Sequence, residues 1–152
     1  KGSKMKSEIA IQALSESHEK PWLDLWKGYQ AFYQTDISDE VTRHTWTKLC
    51  QAQYEHIYGF VAEIEGKVVG IVHVIEHDSC WTLKPYAYLQ DLFTHEAHRG
   101  QGVARKLIEH VQRYAQERQC DRVYWLTHQH NTVAQSLYEK LAKKTGFIQY
   151  KL

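Results

Sequence analysis

The residue types best suited to chemistry gather between positions 87 and 138. Arg99-Gly100-Gln101-Gly102-Val103-Ala104 stands between a strand-like run and an amphipathic run. A helix that begins there brings amides without partners and the positive end of its dipole to the turn. Paired glycines permit unusual backbone angles and remove side chains that would block a close approach. Together these features make a pocket for a pyrophosphate, to which Arg99 and Arg105 can add charge-assisted hydrogen bonds. The segment is not a P-loop, which needs GxxxxGK followed by Ser or Thr. Nor is it the dinucleotide fingerprint GxGxxG, because Arg105 occupies the third glycine position. An ordinary tight turn can also carry Gly-x-Gly, so the surrounding sequence has to decide.

Other candidate groups are scattered. Ten histidines are present, with His95 and His98 beside the glycine turn and His128 and His130 at the end of a strand-like run. No HExxH or similar spacing marks a metal site, and no metal is expected. His128 is the histidine best placed to lie beside a site and shuttle a proton. Cys50, Cys80 and Cys120 form no CxxC pair and read as reduced cytoplasmic thiols. Trp22, Trp26, Tyr29, Phe32 and Tyr33 crowd one segment, either as the buried face of a helix or as the wall of a substrate groove.

The elements that must position these groups follow from periodicity. Ile9, Ile11 and Ala13 or Leu14 indicate a first strand, and residues 18–34 and 38–51 indicate two helices, the second capped by Ser38. Residues 57–64 and 68–75 flank Glu65-Gly66-Lys67 and form a hairpin. A strand at 87–94, a helix at about 101–118, a strand at 122–127, a helix at about 132–143 and a short last strand near 147–151 complete the order. The late strand–helix–strand unit implies a parallel pair and the hairpin an antiparallel part, so the class is α/β with a mixed central sheet. A length of 152 residues bounds this to one domain over 7–152, with residues 1–6 a tag remnant or disordered start. A net charge of +1 and the lack of a long apolar run favour neither nucleic acid nor membrane as a partner.

Within that frame, Leu92-Phe93-Thr94, then Arg99-Gly100-Gln101-Gly102-Val103-Ala104, then Asn131-Thr132-Val133-Ala134-Gln135-Ser136-Leu137-Tyr138 resembles the GCN5-related N-acetyltransferase (GNAT) superfamily. That family's coenzyme motif is Arg or Gln, two residues, Gly, one residue, then Gly or Ala; its later motif is NxxAxxLY. The aromatic first helix and Thr145-Gly146-Phe147-Ile148-Gln149-Tyr150 are most similar to the small histone/polyamine (HPA-type) group.

The resemblance implies a GNAT fold with a splayed parallel strand pair flanked by helices, and acetyl-CoA as the acyl donor. It implies that Leu92, Phe93 and Thr94 hydrogen-bond the pantetheine arm through their backbone, and that residues 99–105 hold the pyrophosphate. Asn131 is expected to cap the last helix, contact the coenzyme arm, or both. Tyr138 shares the inward side of that helix with Ala134, Leu137 and Leu141, and is expected to protonate the departing thiolate. Related enzymes often place a glutamate where this chain has Gln90, which cannot take a proton at neutral pH. Asp91 is therefore the candidate for amine binding or proton removal, with Tyr29, Tyr33, Gln90 and His128 expected around the acceptor and Phe32, Asp36, Glu40, Arg43 and Trp46 as further groove residues. The expected reaction is direct acetyl transfer to a primary amine of a polyamine, small amine or basic protein tail. A catalytically silent coenzyme-binding module is the alternative. An open sheet edge predicts a homodimer.

Overall fold

The computed structural model describes residues 8–152. The expected tag remnant therefore lies outside the described residues. The first strand, β1 (Ile9–Ala13), is followed by two helices, α1 (Glu19–Phe32) and α2 (Asp39–Cys50). Then come β2 (Ile57–Ile64), β3 (Lys67–His77), β4 (Tyr86–Thr94), α3 (Val103–Glu117), β5 (Arg122–Tyr124) and α4 (Thr132–Leu141). The strands lie side by side in chain order, antiparallel from β1 to β4 and parallel between β4 and β5.

Local chemistry accounts for the joints. The β2–β3 hairpin turns through Glu65 (φ 53°) and Gly66 (φ 77°), two consecutive positive-φ residues as a tight two-residue hairpin requires. Ser38 Oγ accepts the Val41 amide at 3.2 Å and starts α2, and Asn131 Oδ1 accepts the Ala134 amide at 3.3 Å and starts α4.

The sheet carries a core on each face. One is built from Ala62, Val72, Val74, Ala87 and Leu89 against Val103, Leu107 and Val111 of α3. The other sets Val61, Ile71 and Phe93 against Trp22, Leu25 and Trp26 of α1. Gly70 decides how near α3 sits. A Cβ there would lie 2.7 Å from Val103 and 3.2 Å from Leu107, so the bare backbone lets the first turn of α3 rest on the sheet beside the end of β4.

Two expected elements differ. The strand expected over 122–127 pairs only through Tyr124, because the β4–β5 ladder stops at Tyr88↔Tyr124. The strand expected near 147–151 does not form. A strand needs a neighbouring edge for its amides and carbonyls, and no backbone hydrogen bond of residues 143–152 reaches the sheet. Phe147, Ile148, Tyr150 and Leu152 consequently project as an exposed apolar arm. Among the described residues, no helix is long and apolar enough to cross a membrane, and no group of three or more His, Cys, Asp and Glu is placed to hold a metal. The three cysteines are unpaired.

Candidate active site

The site begins where β4 and β5 part. Their pairing covers only Tyr86↔Arg122, Ala87↔Val123 and Tyr88↔Tyr124. From Leu89 to Thr94 the far edge of β4 has no strand beside it, while its near edge stays bonded to β3. This is the expected splay, and it leaves Leu92, Phe93 and Thr94 on an open main-chain edge.

That edge runs into the glycine turn. Gly100 has φ 76° and Gly102 has φ 88°, both in the left-handed region, and a Cβ at either would meet nothing within 4 Å. Gly102 caps α3, and the Lys106 amide, bonded to the Gly102 carbonyl at 3.0 Å, is the first to enter the helical ladder. The amides of Val103, Ala104 and Arg105 before it are left over. Gly100, Gln101 and Gly102 are exposed, so the turn offers spare donors to open space at the positive end of a fifteen-residue helix. This geometry fits the diphosphate of a coenzyme.

The arginines behave differently from each other. Arg99 donates Nε–H to the Thr94 carbonyl at 3.2 Å and lies 5.3 and 5.4 Å from the ring centres of Phe32 and Phe93, bracing the turn against β4 and α1. Arg105 is half-exposed on α3, with Nε 3.6 Å from Glu109 one turn on.

On the α1 face, Asp91 is buried and both its oxygens are engaged. Tyr29 donates its hydroxyl to Oδ1 at 2.6 Å, and His73 Nδ1 lies 2.9 Å from Oδ2. Burial pushes the Tyr29 phenol far up, reinforced by the charge and hydrogen bond of Asp91. Tyr33, its ring tilted against that of Tyr29 with centres 4.8 Å apart, and Tyr88 are also raised, first by burial and then by neighbours that include Asp91.

Gln90 explains why Asp91 faces this way. The β3–β4 register shifts there, pairing Val74 with Leu89 but His73 with Asp91, so Gln90 is a bulge residue, exposed and unpaired. In an unbroken strand Asp91 would share the face of Leu89 and enter the α3 core. The bulge turns it to the α1 face instead.

Tyr138 projects from α4 and packs edge-on against Trp125 at 5.4 Å. Burial raises its phenol above the ordinary range, and Tyr33 adds to the rise, so the α1 and α4 phenols lie within electrostatic reach across the splay. The structure thus brings Tyr29, Tyr33 and Asp91 together on the α1 face, with Tyr138 on α4 in electrostatic reach of Tyr33.

It does not bring His128 into that group. His128 is exposed, and its Nδ1 accepts the His130 amide at 3.1 Å in the turn before α4. Trp46 is part of the α1–α2 core, 4.8 Å from Trp22. Asp36 lines a separate cavity of about 340 Å³ between α1 and α2, with Gln30 and Thr42. One residue missed from sequence is His73, which stands behind Asp91 together with Trp22, an aromatic of the crowded first helix. The only signal for His73 was a lone polar residue in a β3 run of Val and Ile.

A mixed sheet with a parallel splay, a glycine turn of spare amides and an acidic–phenolic cluster across the opening defines an acyltransferase fold. Comparison with known proteins gives the family. The acetyltransferase (GNAT) family matches residues 11–142. The chain is 36% identical over 145 residues to the D-amino-acid N-acetyltransferase HPA3 of Saccharomyces cerevisiae, covering 94% of this chain and 89% of that one. It is 27% identical over 135 residues to an aminoglycoside N(6')-acetyltransferase type 1 of Salmonella typhimurium, covering 86% and 88%. Among solved structures, AAC(6')-Iy in complex with a CoA bisubstrate analogue superposes with a TM-score of 0.84 at 23% identity, over 96% of this chain and 98% of that one. The chain belongs to the GNAT acetyltransferase family and is an N-acetyltransferase.

Proposed function

We propose that this single domain transfers the acetyl group of acetyl-CoA to the primary amine of a small cationic molecule, directly and within a ternary complex. The observation that carries the reading is the open edge of β4, which leads through the short 3-10 turn Glu96–His98 to the spare amides at the start of α3. An extended pantetheine arm can add to that edge as a strand would, with its diphosphate at the turn. Bound there, the coenzyme supplies an acetyl thioester.

The remaining steps belong to the chain. Asp91 offers the negative charge that draws an ammonium group, and Tyr29 and Tyr33 offer aromatic faces to the same cation. Both oxygens of Asp91 are already engaged by Tyr29 and His73, which suits the group to holding a cation better than to removing a proton. The ammonium drawn to Asp91 gives up its proton to solvent before its nitrogen attacks the thioester carbonyl. Tyr138 keeps its own proton because burial disfavours the phenolate, and donates it to the sulfur as the new C–N bond replaces the C–S bond; the proton shed by the acylated nitrogen passes to solvent, from which the phenol is re-protonated. Asn131 sets the first turn of α4 and with it the position of Tyr138.

The named acceptors of the relatives, a D-amino acid and an aminoglycoside, are small molecules carrying amines, which favours this class over a protein tail. Three unpaired cysteines suit the reducing cytoplasm. The exposed arm of Phe147, Ile148 and Tyr150 favours a homodimer in which each copy covers the arm of the other. The test is acetyl-CoA turnover against amino acids of both hands, aminoglycosides and polyamines. Turnover with a small amine is expected. Tight coenzyme binding without transfer to any of them would replace this reading with a silent coenzyme-binding module.

A further inference from the structure

Asp91 is held by a chain of buried groups that leads away from the site. Trp22 donates its indole N–H to His73 Nε2 at 2.9 Å, and His73 Nδ1 lies 2.9 Å from Asp91 Oδ2. Relative exposures are 1% for Trp22, 3% for His73 and 9% for Asp91. An indole nitrogen can only donate. Nε2 of His73 is therefore an acceptor, and the one ring proton sits on Nδ1, where it points at the carboxylate. A second proton on Nε2 would face the indole hydrogen at hydrogen-bond distance.

The consequence is electrostatic. Asp91 receives two neutral donors, Tyr29 and His73, and its unit charge is not cancelled. An imidazolium in place of the neutral ring would form a pair of zero net charge, with nothing left to attract an ammonium group. Among the described residues, the groups shown in contact with His73 include no cation. From β4 comes Asp91, which also accepts from Tyr29, and from α1 come Trp22 and Trp26, with ring centres 5.9 and 5.2 Å from that of His73. β2 presents Gly59, and α2 presents Trp46 behind Trp22. Among the described residues, Asp91 pairs with no lysine or arginine.

We propose that Trp22 is a positioning residue that locks His73 in its neutral Nδ1–H tautomer, so that Asp91 presents a full negative charge to the ammonium of the acceptor. The proposal rests on the reading that Asp91 receives that amine.

The test compares KM for the best amine across about pH 5.5 to 8.5, near the ordinary histidine range, in wild type, Trp22→Phe, Asp91→Asn and the double variant Trp22→Phe with His73→Gln. Asp91→Asn raises KM for the amine about tenfold or more at every pH. Trp22→Phe frees Nε2, so its KM rises about tenfold over wild type toward the acid end, while KM for acetyl-CoA stays level. Glutamine cannot take up a proton, so the double variant loses the acid-side rise. A Trp22→Phe profile parallel to wild type, with Asp91→Asn still impaired, overturns the lock alone. Full amine affinity in Asp91→Asn overturns the underlying reading and the lock with it. Should Trp22→Phe fail to fold, histidine ¹⁵N spectra of the wild-type protein decide. A His73 Nδ1–H tautomer that persists through this range supports the lock, and an imidazolium signal refutes it.

Discussion

Tyr138 is where the proposed chemistry is most exposed to a single substitution. Tyr138→Phe removes the donor and leaves the packing on Trp125, so kcat is expected to fall on the order of 10²- to 10⁴-fold with little change in KM for acetyl-CoA. The pH dependence has a definite sign. Burial and Tyr33 raise the phenol, so the proton to be donated is retained beyond the ordinary tyrosine value of about 10. Rate measurements should show no alkaline loss due to this group below about pH 10; one that disappears in Tyr138→Phe would contradict the role. The sequence alone identified Tyr138 from a motif on one helix, and Asp91 as an acidic neighbour of Gln90. It could not orient Asp91, because strand alternation fails at a bulge, and the bulge at Gln90 becomes visible only in the pairing with β3. His128 lies apart from the Asp91 group for a related reason. The chain leaves β5 after Tyr124, earlier than the apolar run suggests, and carries the ring into a turn.

At the level of elements, the coenzyme turn depends on where α3 starts and how close it lies. Gly102→Val puts a β-branched residue at φ 88°, a strain of roughly 1–2 kcal/mol before any clash with ligand. Affinity for acetyl-CoA by calorimetry is expected to drop at least about tenfold, given that 1.4 kcal/mol is a factor of ten. Gly70→Val acts from behind the sheet by lifting Val103, so it weakens coenzyme binding without touching the turn. The sequence disclosed the Gly102 requirement through its motif and hid that of Gly70, whose contact with α3 is between residues 33 positions apart. A second joint is structural. Arg118 donates to both oxygens of buried Glu76 at 2.6 and 2.9 Å, and Tyr58 adds a third bond. Burial would raise the Glu76 carboxyl, but Arg118 and Tyr58 prevail and hold it below the ordinary value of about 4.3. Its stabilisation is thus present above that pH and is lost as pH falls through the lower folded value. Arg118→Ala is expected to cost about 2 kcal/mol at pH 7 by denaturant melts, with the difference from wild type shrinking below about pH 4.

For the whole molecule, the unresolved demand is the C-terminal arm. Phe147, Ile148 and Tyr150 are each more than 70% exposed, and α4 buries no residue fully. Light scattering is expected to give a dimer, and Phe147→Ser with Ile148→Ser to give a monomer; a wild-type monomer at working concentration would refute the proposed pairing. What the sequence determined by itself was local or repeated along the chain: helix caps, hairpin chemistry, the succession of elements as far as α4, and a glycine turn whose spacing speaks for the diphosphate site. Only the tertiary structure decided the rest. Where β4 and β5 part, which face Asp91 takes, that Trp22 and His73 stand behind it, and that the last residues find no sheet edge are all outcomes of pairing between distant segments. Such pairing has no signature in the spacing of neighbouring side chains.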